Sequence, residues 1–192
     1  MQQNKKITDL KMVLRLFDKG VPFIAFDTET TSLSPNTGRI IEIGAVKFNK
    51  DGPISFFSQL INPQTIIPPF ITELTGITTK MTILQPSMHK VLPSFLDFIE
   101  DTTLIAHNAQ FDMNFLNAEC IKCNMNPTKN KFIDTLIISN RCFPELEKHK
   151  LDFLADNLNL DKGNSHRALD DAKTCYELFL KCLDKYRLTK IK

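Results

Sequence analysis

Apolar and polar positions follow several rhythms along this chain, and each rhythm predicts its own kind of element. Over residues 7–19, Leu10, Val13, Leu14 and Phe17 recur at helical spacing, so the stretch reads as an amphipathic helix that Gly20 ends. Residues 23–26 are an unbroken apolar run, 40–48 are rich in β-branched side chains, and 56–61 make a third short run. Turn formers at Ser34-Pro35-Asn36 and Asp51-Gly52-Pro53 separate them, which predicts an antiparallel three-strand meander.

Further on the rhythm becomes helix, strand, helix over 87–100, 103–106 and 109–123, an alternation that adds parallel strands to a sheet. Pro93 is expected to kink the first of these helices or mark its start, because it removes an internal hydrogen bond. A short strand at 131–133 leads to Asp134-Thr135, which can cap a helix over 136–141, and helices follow at 151–158 and 167–183. No repeat and no low-complexity segment interrupts the chain. The expected fold is α/β, a mixed five-stranded sheet flanked by helices, in one domain over 1–192. Within it, 1–20 carry the N-terminal helix, 21–184 the core and 185–192 a short basic tail.

Composition narrows the function classes. A chain of 192 residues with 42% apolar content can bury a sizeable core. Its 24 Lys and Arg against 22 Asp and Glu leave a net charge of +2, so a polyanion partner does not follow from charge and any basic surface must be local. The start MQQNKKITDLKMVLRLF carries charges throughout and is neither a secretory signal nor a membrane span; a cytoplasmic protein without a membrane partner is expected. Five cysteines without framework spacing point to reduced thiols. Cys120 and Cys123 form a CxxC pair, but Cys142, Cys175 and Cys182 supply no second pair at zinc spacing, so the two read as helix-face cysteines.

The acids carry the chemistry. In FIAFDTETTSL a buried strand ends abruptly in Asp27 and Glu29, which project to the same face because strand side chains alternate. Carboxylates that close repel unless a divalent cation joins them, although a DxE alone serves equally well to solvate a strand end. In LIAHNAQFDMNFL the strand breaks at His107-Asn108, and Asp112 falls in the first turn of the next helix beside Phe111, Phe115 and Leu116. The helix dipole by itself favours an acid there. In SHRALDDAKTCYELFLKC, Ala168, Ala172, Cys175, Phe179 and Cys182 form one apolar stripe. At about 100° per residue Asp171 lies some 60° from that stripe and Asp170 on roughly the opposite side, so Asp171 is the candidate ligand and Asp170 is solvated. His166 can meet Asp171 only from a lead-in with Gly163, Asn164 and Ser165 that precedes the helix, a suitable place for a base. An exposed helix-start histidine is the plainer alternative.

Taken together, DTE, HNAQFD and HRALDDA resemble, in order and spacing, the three motifs of the DEDDh (DnaQ-like) superfamily of 3′-to-5′ exonucleases. RIIEIGAVKF, the INP segment and ELTGIT extend the likeness toward the exonuclease domains of bacterial replicative polymerases, the epsilon subunit of DNA polymerase III and PolC-type modules. The resemblance implies an RNase H-like fold. It further implies that Asp27, Glu29, Asp112 and Asp171 hold two divalent ions, Mg²⁺ or Mn²⁺, with His166 as general base. The expected reaction releases nucleoside 5′-monophosphates from the 3′ end of a nucleic acid, single-stranded DNA being favoured, in proofreading or repair. By the same likeness Thr28 and Thr30 would lie at the terminal nucleotide, and Leu74, Thr75 and Phe111 would line the pocket for the last bases, with Asn108 a polar contact. Core packing explains Leu74 and Phe111 equally well. His107 reads as structural.

The chain ends at YRLTKIK soon after its last helix, where the epsilon subunit continues into a polymerase-binding tail. By the resemblance a DNA polymerase is one expected partner, but this ending carries no such tail, and a free-standing exonuclease, or one recruited through its surface, explains the length equally well. Two other readings stand beside DNA hydrolysis: an RNA-trimming exonuclease of the RNase T or oligoribonuclease type, and a nuclease-dead module that binds nucleic-acid ends.

Overall fold

The structure is a computed structural model that describes residues 4–163 and 166–190. The chain enters through helix α1 (Leu10–Asp18), which Asp9 caps by accepting the Met12 N–H, and this sets its start later than the apolar spacing alone predicts. Strands β1 (Phe23–Thr30), β2 (Ile40–Asn49) and β3 (Gly52–Leu60) form the expected antiparallel meander. β1 does not stop at Phe26, because β2 ladders with it through Asp27↔Gly44 and Glu29↔Glu42 as far as a bulge at Thr30. The acids therefore sit on the strand itself.

Two short helices follow that the apolar rhythm did not reveal, α2 (Pro69–Thr75) and α3 (Thr79–Thr82). Proline opens α2 and Gly76, at φ 71°, closes it. Helix α4 (Met88–Ile99) runs through Pro93 rather than starting there; Pro93 and His89 are both on its exposed face, where water can serve the carbonyl that proline leaves free. Strand β4 (Thr103–Ala106), helix α5 (Gln110–Lys122), strand β5 (Phe132–Asp134), helices α6 (Thr135–Cys142) and α7 (Leu151–Leu158), and the long α8 (Ala168–Lys190) complete the order. α8 continues past Leu183, so 185–190 are helix and not a tail.

The five strands run β3-β2-β1-β4-β5, with β4 and β5 parallel to β1. One face packs on α1, α6, α7 and α8 around Phe23, Val46, Phe48, Ile105 and Phe179. The other packs on α4 and α5 around Ile24, Phe26, Phe95, Met113 and Leu116. At one end Ile41, Ile67, Ile71 and Ile77 seat α2 in a smaller cluster. All five cysteines are free, and no helix among the described residues is long and apolar enough to cross a membrane.

Candidate active site

The side of β1 that faces α8 changes character along its length. Phe23 and Ala25 belong to the core, and the same side continues as Asp27 and Glu29. Across the ladder their partners on β2 are Phe48, Val46, Gly44 and Glu42. α8 lies over this row: its Phe179 ring stands 5.5 Å from Phe23 and 5.8 Å from Phe48, between centroids. Its first turn meets Gly44, where a Cβ would fall 2.1 Å from the Ala168 carbonyl carbon and the Leu169 nitrogen. Only glycine lets the helix approach that closely. The strand thus delivers two acids to the N-terminal end of α8, whose dipole favours negative charge.

β4 accompanies β1 only as far as Ala25↔Ile105 and then turns into α5. Past that point Asp112 replaces the missing strand: its Oδ1 accepts the Thr28 N–H at 3.1 Å and the Thr28 hydroxyl at 2.8 Å. Asp112 lies in the first turn of α5 and is 3% exposed. The turn into α5 passes through Asn108 at φ 63°, whose N–H donates to Asp134 Oδ1 at 3.0 Å. The same oxygen accepts the Leu136 N–H at 3.1 Å, so Asp134 caps α6 as expected and also fixes the approach to Asp112.

Asp171 lies in the first turn of α8 and accepts the His166 N–H at 2.9 Å. His166 stands just outside the helix at φ 62°, a conformation that a non-glycine residue keeps only when its surroundings hold it. Asn164 and Ser165, the rest of the expected lead-in, lie outside the described residues. Asp170 is not simply solvated: it is half-buried, pairs with Lys173 at 3.3 Å, and packs under Gly163, where a Cβ would meet its side chain at 2.6 Å.

Ligand atoms of Glu29, His166 and Asp171 all lie within 4.8 Å of one another. Asp27 and Asp112 join them through charge. Burial, then Asp112, Glu29 and Asp171, push the Asp27 carboxyl well above the usual carboxylate range. Burial followed by Asp171 and Glu42 pushes Glu29 up to about 8, and burial pushes Asp112 up to about 7 against the Thr28 hydrogen bonds. Asp171 rises to about 6, again chiefly by burial. Four acids with raised proton affinity, two of them, Asp27 and Glu29, pushed up by the others' charge as well as by burial, make a candidate cation site.

Asp27 and Asp171 open on a cleft of about 630 Å³ lined also by His107, Asn108, Lys148 and His166 among others. His107 is held between Thr135 Oγ1 at 3.0 Å and the His149 carbonyl at 2.7 Å, and burial lowers its proton affinity, which suits the structural part read for it. The residues named for substrate contact are spread more widely. Thr28 is committed to Asp112, and the Thr30 hydroxyl donates to the Ser32 carbonyl at 2.7 Å. Leu74 is 54% exposed on α2, whereas the Thr75 hydroxyl serves its own helix end by donating to the Ile71 carbonyl. Phe111 packs on Phe115 at 4.9 Å between centroids, and Asn108 is exposed on the cleft wall.

Glu42 and Arg167 escaped the sequence reading. Glu42 is 2% exposed and grips Arg167 at 2.7 Å, directly across the ladder from Glu29. The signal was the one that exposed Asp27: a lone acid at an alternate position of an apolar strand.

A family model described as Exonuclease, RNase_T, matches residues 24–179. The DNA polymerase III subunit epsilon of Treponema pallidum (strain Nichols) is 45% identical over 161 residues, which cover 83% of this chain and 75% of that protein. A PolC-type DNA polymerase III from Caldanaerobacter subterraneus subsp. tengcongensis is 41% identical over 170 residues, 88% of this chain but 12% of the polymerase. Among solved structures, E. coli exonuclease I in complex with a dT13 oligonucleotide superposes with a TM-score of 0.76 at 16% identity, over 89% of this chain and 42% of that one. The described fold is thus the one that such exonucleases share.

Proposed function

Because the chain belongs to the exonuclease family, in its DnaQ-like 3′-to-5′ branch, we propose that it removes nucleotides singly from the 3′ end of single-stranded DNA in proofreading or repair. The observation that supports this reading is that Asp27, Asp171 and His166 line one cleft, with Glu29 within ligand distance of His166 and Asp171, and Asp112 and Glu29 raising the Asp27 carboxyl by their charge. The single domain proposed has its catalytic core over 21–184.

The donor set fits hard divalent cations, since every acid is an oxygen ligand whose charge the others oppose. Asp27, Glu29, Asp112 and Asp171 would hold two ions, Mg²⁺ or Mn²⁺, which when bound supply Lewis-acid activation of water and stabilisation of the leaving 3′ oxygen. The remaining tasks fall to side chains. His166 takes the proton of the attacking water at a ring nitrogen and holds it as the bond to the leaving oxygen breaks. Thr28 keeps the Asp112 carboxylate turned to the strand, and the Asp171 bond to the His166 N–H keeps the base at the cleft. The backbone at Thr30 meets the terminal 3′ hydroxyl, and the exposed Leu74 with Phe111 offers apolar surface to the last bases, which reads no sequence. Thr75 and Asn108 complete that pocket.

DNA is preferred over RNA because a relative 45% identical over 83% of this chain is a DNA polymerase III subunit, and on the same ground a DNA polymerase is the proposed partner and the cytoplasm the proposed location. Purified protein given labelled single-stranded DNA, a mispaired primer and RNA oligomers, each with Mg²⁺ or Mn²⁺, is expected to release 5′-mononucleotides fastest from DNA. Faster turnover of RNA would overturn the substrate, and an absence of mononucleotide product would overturn the reaction.

A further inference from the structure

The ion pair between Glu42 and Arg167 has no part in the chemistry above, yet it is densely hydrogen-bonded beside the site. Arg167 Nε donates to both Glu42 oxygens at 3.2 and 3.1 Å, and Nη2 donates to Oε1 at 2.7 Å. The Ala168 N–H donates to Oε2 at 3.0 Å. One carboxylate, 2% exposed near the start of β2, thereby receives four donations from two consecutive residues. The planar guanidinium fork meets it edge-on, the arrangement in which arginine fixes direction as well as distance.

The place of this clamp matters more than its strength. Arg167 directly follows His166, and its carbonyl accepts the Asp171 N–H at 3.0 Å. Ala168 opens α8, and its N–H is one of the first-turn donors that a helix leaves without an internal partner. Glu42 therefore caps α8 from another element and holds the residue between the base and the helix. Gly44, two positions along β2, brings that first turn into backbone contact. His166 sits at φ 62° with its own N–H tied to Asp171, so its position follows from where α8 begins.

We propose that Glu42 and Arg167 are positioning residues: their clamp sets the start of α8 on β2 and so brings His166 and Asp171 to Glu29. The proposal rests on the nuclease reading for its catalytic half and on geometry alone for its local half, and the two are measured separately. With Mn²⁺ and a single-stranded oligodeoxynucleotide, Arg167→Gln and Glu42→Gln each lower kcat by about 10- to 100-fold while KM moves less than about threefold, and the double variant is no slower than the slower single one. Arg167→Lys, which keeps the charge and loses the fork, falls between them and the parent. In the metal-free protein, amide hydrogens of 166–171 exchange at least about tenfold faster in both Gln variants, and the β-sheet amides keep parental rates.

A rise in KM with kcat retained would make Arg167 a substrate-phosphate contact and overturn the proposal. Parental exchange at 166–171, or an equal loss of protection throughout the chain, would overturn it too. Should Glu42→Gln fail to fold, Arg167→Gln carries the test, because that side chain is 40% exposed. A parent protein inactive on every nucleic acid would end the nuclease reading, and the exchange data would still decide whether the clamp holds the lead-in.

Discussion

At the scale of the residue, the site is a set of acids that oppose one another. Asp27 has its proton affinity raised by burial and then by Asp112, Glu29, Asp171 and Glu42, so its charged form calls for an added cation. Asp27→Asn keeps the shape and removes the charge. It is expected to lower kcat by about 1,000-fold or more, with a metal-free Tm at pH 8 no lower than the parent's, since one repelling charge has gone. Unchanged turnover in the purified variant would remove Asp27 from the cation site. The neighbouring acids of α8 offer a sharper comparison. Asp171 accepts the His166 N–H, whereas Asp170 pairs with Lys173 and packs under Gly163. Asp171→Asn is therefore expected to match the loss seen at Asp27, and Asp170→Asn to keep kcat within about fivefold, its cost appearing in Tm instead. Equal losses at the two positions would mean that the helix start, and not the ligand, had been disturbed.

At the scale of the element, α8 and β2 are set against each other by Gly44. Gly44→Ala places a Cβ 2.1 Å from backbone that has no side-chain freedom with which to yield. The expected cost is roughly 3 kcal/mol of stability, read as a lower midpoint of urea unfolding, together with a fall in kcat as the first turn of α8 lifts from the acids. A fully active and stable Gly44→Ala protein would show that the close approach does not set the site. Which elements were legible follows from the same physics. β1 announced itself by an unbroken apolar run and α8 by period, and the helical wheel separated Asp171 from Asp170, because these signals are local. The extent of β1 was not legible, since Asp27 to Thr30 are held extended by the β2 ladder and not by their own composition. α2 and α3 are too short to show a period. The last turns of α8 carry little apolar pattern; Lys185 with Glu145, and Arg187 with Asp18 and Asp184, pair along them on the surface. The clamp of Glu42 on Arg167 joins positions 125 residues apart, and no single-sequence pattern pairs them.

At the scale of the whole molecule, the site opposes the fold that builds it. Without metal the folded protein holds protons on Glu29 up to about 8, on Asp112 up to about 7 and on Asp171 up to about 6, each above the value the free side chain has. The unfolded chain releases those protons near pH 4, so the folded state binds more protons over the interval between. What these groups contribute is accordingly full below about pH 4 and is lost as pH rises through about 6 to 8. A cation that occupies the site replaces the protons and removes the opposition, because it binds the carboxylates only in the folded arrangement. The metal-free Tm is thus expected to fall between about pH 5.5 and 8.5, and saturating Mg²⁺ or Mn²⁺ to raise it far more at the upper end than at the lower. In Asp27→Asn both the slope and the metal response should shrink together, because Asp27 is one of the carboxylates that bind proton and cation alike and its charge bears on the others. A Tm flat across that interval, or a metal increment independent of pH, would show that the acids are already compensated within the protein, and the cation site would have to be sought elsewhere.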